Sequence, residues 1–319
     1  MLGMLMNAKK KIVLYILGGV AVAIVLAAIV FTLTFDLNFY RLRIEVAASE
    51  ATGLEVRING KLGLSFFPLG LSVKDIHIAN KGFEIISIDT LKLGAELMPL
   101  IKKQFKVTSC ELFKPAINIV KDAAGKYDFE GTEHKSVERV PGVAFTLNEL
   151  KPSKGVLVYL DKKTDEKTEF KDFNVAMKSL SIGDTSSNIV KNLSFIGSFD
   201  CKEVLQRDFR IENLKTTAKA VKGIYSFEPL TIGVLVYFDK KAGEKTELKE
   251  INLAIKGHSV MDTSGVIIRN IAFTGNLDCK AIQKKNVNIG NVKSPIKVEK
   301  GVIYLAPLAM GIFGSKGEG

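Results

Sequence analysis

Oily and polar residues alternate along much of the C-terminal half of this chain. Phe173, Val175 and Met177 are set apart by Asn174 and flanked by Lys171, Asp172 and Lys178, while Leu193, Phe195 and Phe199 are interleaved with Asn192, Ser194, Ser198 and Asp200. A period of two predicts strands with one oily and one wet face. Gly197 falls on the oily side, where a glycine permits a sharp bend or the close approach of another backbone.

The same pattern returns 78 positions later, without a gap, as Ile251, Leu253 and Ile255, then Ile271, Phe273 and Leu277, with Gly275 in the place of Gly197. Gly155-Val156-Leu157-Val158-Tyr159 reappears as Gly233-Val234-Leu235-Val236-Tyr237, and Asp200-Cys201-Lys202 as Asp278-Cys279-Lys280. An ungapped repeat of this length predicts a supersecondary unit that stacks on its own copies. The copies are 155–232 and 233–310, and 311–319 opens a possible, truncated third unit. The charged breaks after Asp161 and Asp239 predict hairpins and antiparallel neighbours.

Past Gly53 there are one or two short helical candidates, too few for the helices that normally cover an apolar sheet face. The face is expected to curl upon itself or to meet lipid. Six or seven strands of ordinary length per copy, at about 4.8 Å each, predict roughly 30 Å per copy and on the order of 100 Å for the whole body.

The N-terminal pattern is different. Residues 12–35 form an uncharged run of 24, longer than the roughly 20 residues that cross a bilayer. Lys9-Lys10-Lys11 precede it and predict a cytoplasmic N-terminus, residues 1–11, with the bulk of the chain on the far side. A cleaved secretory signal, with an apolar stretch of about 7 to 15 residues, fits less well. Residues 36–53 read as a juxtamembrane amphipathic helix, with Asp36 as N-cap and Gly53 as its stop. Phe39, Leu42, Val46 and Ala47 make one side, with Arg41, Arg43 and Glu45 around it; its plainest role is to plug the end of the sheet. Residues 54–154 form an N-terminal β region.

Composition narrows the chemistry. The 45 Lys and Arg against 34 Asp and Glu give a net charge of +11, but the cations are scattered, with no tryptophan and no basic stripe interleaved with stacking aromatics, so nucleic acid is not an expected partner. Cys110, Cys201 and Cys279 are too few and too far apart for a disulfide framework and read as buried small hydrophobes. His77, His134 and His258 stand alone, without metal-ligand spacing. Asp184-Thr185-Ser186 and its copy Asp262-Thr263-Ser264 suit a turn. No nucleophile elbow or phosphate loop occurs, so no enzyme, cofactor or metal is expected.

The junction after the apolar run carries a family resemblance. Phe35-Asp36, Tyr40, Thr52-Gly53, the strand Val56–Leu62, Leu64-Ser65-Phe66-Phe67-Pro68-Leu69 through Asp75, and Ile78-Ala79-Asn80 together resemble the AsmA family, the AsmA/TamB-like bacterial envelope proteins. Met98-Pro99-Leu100, Pro115–Ile119 and Gly125–Phe129 are further family-like marks, although Tyr127-Asp128-Phe129 stands where members often carry Asn-Trp.

The resemblance implies a mainly β fold: a transmembrane helix, then a repetitive, curled antiparallel sheet forming a U-shaped groove, with one or two short helices. It implies a single-pass inner-membrane protein with a periplasmic body that holds or conducts phospholipid toward the outer membrane. Partners would be phospholipid acyl chains, the inner membrane and outer-membrane assembly proteins. Candidates to line such a groove are Phe173, Val175, Met177, Leu193, Phe195, Phe199, Ile251, Leu253, Ile255, Ile271, Phe273 and Leu277. The alternative is a non-enzymatic scaffold that recruits envelope partners at its sheet edges.

Overall fold

A computed structural model describes residues 36–96, 107–129, 145–182, 192–221, 224–260, 271–299, 302–312 and 315–318. The apolar run 12–35 and the repeated Asp-Thr-Ser trios lie outside the described residues, among which no helix is long and apolar enough to cross a membrane.

A 3₁₀ turn (Leu37–Tyr40) leads into α1 (Arg41–Thr52). The strands follow as β1 (Glu55–Ile58), β2 (Leu62–Phe66), β3 (Leu69–Asn80), β4 (Phe83–Ala95), β5 (Val107–Lys121), β6 (Phe145–Ser153), β7 (Gly155–Asp161), β8 (Glu166–Ile182) and β9 (Leu193–Gln206). Then come β10 (Phe209–Val221), β11 (Ile224–Asp239), β12 (Glu244–Val260), β13 (Ile271–Lys284), β14 (Val287–Glu299), β15 (Val302–Leu305), β16 (Ala309–Ile312) and β17 (Ser315–Glu318).

Among the described residues these seventeen strands make one sheet. β1 and β2 lie end to end along β3, which continues antiparallel into β4 and β5. β6 and β7, also end to end, run parallel to β5 and antiparallel to β8. From β8 to β14 each strand pairs antiparallel with the next; β15 and β16 share the far side of β14, and β17 pairs with β16.

The strands are far longer than the expected ones: β8 and β12 have 17 residues each against a usual five or six or so. Each repeat copy therefore supplies four rungs, about 19 Å at about 4.8 Å per strand, not six or seven. With the three end-to-end pairs counted once, the ladder has fourteen rungs and an extent on the order of 60 Å rather than 100 Å. The junction between copies, at Gly233, falls inside β11. The hairpins after Asp161 and Asp239 are built alike. Asp161 Oδ1 accepts from Lys163 N at 2.9 Å, and Asp239 Oδ1 accepts from Lys241 N at 2.9 Å, so each aspartate folds its own turn.

A transverse seam crosses the ladder. Asp75, Lys114, Lys154, Asp172, Asn213, Glu250 and Asn291 all have φ between 49° and 55°, in or between strands. Opposite them Asp89, Lys202, Gly233 and Lys280 drop out of pairing, while the ladder resumes in register on both sides. Asp and Asn adopt left-handed φ more readily than most residues, and such an interruption bends a strand locally. It also moves the side-chain alternation by one place. Phe170 and Phe173, Cys201 and Val204, or Leu248 and Ile251 are three apart, yet each pair packs in one apolar cluster.

The start of the ladder is closed by α1. Asp36 caps the 3₁₀ turn, its Oδ1 accepting from Asn38 N at 2.9 Å, and Gly53 ends α1 with φ 70° while its N–H donates to Ser49 O at 2.8 Å. Strand amides are met by side chains: Leu62 N donates to Asn38 Oδ1 at 3.0 Å, Ile58 N to Glu45 Oε1 at 2.6 Å, and Val56 N to Ser49 Oγ at 3.0 Å. An edge that would otherwise offer free donors is thereby satisfied.

Candidate functional site

The apolar face carries an unbroken lane. Val56, Ile78, Ile86 and Ile117 are register partners on successive rungs, followed by Leu157, Phe170, Val204 and Ile211 and then by Leu235, Leu248, Ile282 and Ile289. One large apolar residue thus stands on each of twelve consecutive rungs. All twelve belong to hydrophobic clusters, and every one except Val204 keeps part of its surface open.

Apart from Ile271 and Phe273, the residues singled out from the repeat lie on the same face, across the seam from this lane. Val175 pairs with Phe199, and Leu253 with Leu277. Met177 pairs with Gly197, and Ile255 with Gly275. Phe195 packs with Leu147, Leu180 and Ala220, with Met177 and Leu193 beside them. Phe173, Phe195, Ile251 and Leu253 are buried; Val175, Met177, Leu193, Phe199, Ile255 and Leu277 are half-buried. Ile271 and Phe273 are in β13, and their side chains lie outside the described residues.

The two glycines on this face do what the pattern suggested. A Cβ at Gly197 would stand 2.8 Å from Ala176 O, and one at Gly275 would overlap Ala254 O. Backbone passes too close there for any side chain.

Alternation alone could not find the lane, because the seam shifts the phase between Phe173 and Phe170 and between Ile251 and Leu248. The signal was a recurring three-residue step, in Val73 and Ile76, Ile211 and Leu214, Ile232 and Leu235, or Ile289 and Val292, each enclosing the seam.

The clusters are assembled mainly from neighbours on consecutive rungs, with Leu37 of the 3₁₀ turn and Leu308 of the β15–β16 connection added. Phe173, Cys201 and Val204 gather Ile117, Leu157, Phe170, Ile211 and Leu214 from β5 to β10, and Ile251, Cys279 and Val292 gather their neighbours from β11 to β16. Several buried side chains, among them Ile76, Ile88, Phe173, Cys201, Ile251, Cys279 and Val292, flank the seam, while Ile85, Leu147 and Ala220 are buried away from it. The Cys201 thiol donates to Glu203 O at 3.2 Å and the Cys279 thiol to Ala281 O at 3.4 Å, and burial pushes both thiols above their usual pKa. All three cysteines are free.

The opposite face is ionic. Arg210 Nε lies 2.9 Å from Glu203 Oε1, and its second nitrogen 2.9 Å from Glu212. The repeated pairs Lys167–Glu169 and Lys245–Glu247 hold the two carboxyls below their ordinary pKa. His77 Nδ1 lies 2.6 Å from Glu84 Oε2 and Nε2 lies 3.0 Å from Asp75 Oδ1. The hydrogen bond to Glu84 chiefly raises the imidazole pKa; burial opposes it, and a lesser hydrogen bond to Asp75 adds to the rise. His134 and the side chain of His258 lie outside the described residues. Among the described residues no three His, Cys, Asp or Glu side chains are grouped to hold a metal.

The described part of this face therefore offers hydrocarbon contact along its length. A model of the AsmA family matches residues 6–300, nearly the whole chain, and the chain belongs to that family. No curated protein and no solved structure matches it. Family membership suggests an envelope, lipid-related role of a generally non-enzymatic kind.

Proposed function

We propose that this AsmA-family chain holds or conducts phospholipid between the inner and outer membranes of a bacterial envelope, supporting outer-membrane biogenesis. Residues 12–35 anchor it in the inner membrane, and the sheet stands in the periplasm. The observation that carries this reading is the twelve-rung apolar lane, half-open along its length.

Apolar clusters gathered from neighbouring rungs support a sheet curled toward its apolar face, a U-sectioned trough with the lane running along it. Acyl chains would lie in the trough, where each buried methylene gains about 0.8 kcal/mol over water. Because the same class of side chain recurs at every rung, shifting a chain along the trough exchanges equivalent contacts at little net cost. Movement then needs a source or sink of lipid at the ends and no catalytic residue.

The other reading, a scaffold that recruits partners by strand addition, has less to recommend it at the start of the ladder, where Asn38, Glu45 and Ser49 already occupy edge donors. Mass spectrometry of the full chain, extracted in mild detergent, tests the choice. Stoichiometric phospholipid is expected from the parent and from the exposed polar-face variant Asn252→Asp. It should fall several-fold in Ile211→Asp and Ile282→Asp. Equal lipid in all four proteins, or none in the parent, rejects the trough.

A further inference from the structure

The helix that closes the ladder is turned the opposite way from a helix packed on a sheet by its apolar side. The groups that reach the strand amides are polar, Asn38 from the 3₁₀ turn and Glu45 and Ser49 from α1, while Leu37 packs on the first apolar cluster. The other large apolar residues point outward, with Phe39 76% and Leu42 70% exposed and Ile44 and Val46 also exposed. A helix that turns polar groups to its own protein and leaves Leu42, Ile44 and Val46 exposed, with Arg43 and Glu50 among them, keeps apolar surface for something else.

A second apolar feature stands at the same rung. The turn between β2 and β3 exposes Phe66, Phe67 and Leu69, with Phe67 at 88%. The helix runs antiparallel to the edge, with Asn38 beside Leu62 and Ser49 beside Val56, so its beginning points toward the Phe66 end of β2. Asp36, where the uncharged run of 24 ends, enters from that side. Basic groups are close by: Arg43 is exposed on α1, and Lys92 Nζ donates to Phe67 O at 3.4 Å.

We propose that the first rung docks on a phospholipid bilayer, with α1 lying in the plane of the interface between sheet and lipid and the Phe66–Leu69 turn inserted beside it. This rests on the reading of residues 12–35 as a membrane span. Continuity with that span selects the occupant, since the exposed side chains gather where the chain leaves it. Interfacial aromatics and nearby cations suit the headgroup region. Strands run across the ladder axis, so a first strand parallel to the surface makes the rungs stack away from it and sets the first residue of the lane, Val56, nearest the bilayer.

The chain has no tryptophan, so single substitutions give clean optical probes. Leu42→Trp, Phe67→Trp and Phe238→Trp are made in the full chain and reconstituted into phosphatidylethanolamine–phosphatidylglycerol vesicles, with and without brominated acyl chains. Co-flotation is measured alongside emission, and circular dichroism matching the parent establishes folding. The expected result is emission at positions 42 and 67 reduced at least twofold by brominated lipid, with position 238 unaffected. A chain that floats while 42 and 67 stay unquenched overturns the docking and leaves the anchor standing. Blue-shifted but unquenched emission at 42 does the same, by showing that protein covers the face. Equal quenching at 238 overturns the upright placement. A chain that does not float overturns the anchor and the docking with it.

Discussion

The ring of Phe173 lies over Gly155 on the neighbouring strand, so close that a Cβ at Gly155 would overlap it. The equivalent glycine in the second copy has a different neighbour: a Cβ at Gly233 would stand 3.1 Å from Asn213 Cβ. Gly155→Ala should therefore destabilise the protein by about 1 to 3 kcal/mol, the usual cost of overpacking, and Gly233→Ala by less. Thermal denaturation of the two variants decides it; equal losses would contradict the packing of Phe173 on Gly155.

The amide of Ile58 depends on Glu45. Removing the carboxylate in Glu45→Ala leaves a strand donor without its charged acceptor, at a cost of about 1 to 3 kcal/mol. Hydrogen exchange should accelerate at Ile58 while Ile289, on a remote rung, keeps its protection. Unchanged exchange at Ile58 would show that the helix does not cap the edge.

His77 makes part of the stability depend on pH. Its folded pKa is raised above the unfolded value of about 6.5, chiefly by Glu84 and then by Asp75. The contribution is full below the unfolded pKa and is lost as pH rises through the higher folded one. Tm should decline across that interval in the parent, and the decline should be smaller in His77→Gln. Parallel curves for the two proteins would remove His77 from the account.

Cys201 and Cys279 are enclosed, and their thiols are pushed away from the reactive thiolate form. Iodoacetamide at neutral pH should leave both unmodified in the folded chain and alkylate both after denaturation. Rapid labelling of either in the native protein would show that the seam opens.

Much of the fold is legible in the sequence. The alternation through Phe173, Val175 and Met177 identified a one-sided strand, and Asp36 and Gly53 marked the ends of the helical segment because capping is local chemistry. The lane through Phe170, Val204 and Leu248 stayed hidden. Its phase is reset by Asp172, Asn213 and Glu250, whose left-handed backbone is a property of the assembled sheet and is not announced by glycine. Likewise, Phe39, Leu42 and Val46 were legible as one side of a helix, but a pattern of side chains does not say which side meets the strands. The expected strand number rests on strands of ordinary length, about five or six residues, whereas β8 and β12 run through the seam for 17 residues each.

Because the boundary between copies lies within β11 at Gly233, duplication of a copy leaves every hairpin whole and lets the oily track pass through the join. The protein resembles a ruler graduated in steps of about 19 Å. Evolution can extend its reach by whole graduations, whereas inserting or deleting a single residue in any strand would turn half of that strand inside out.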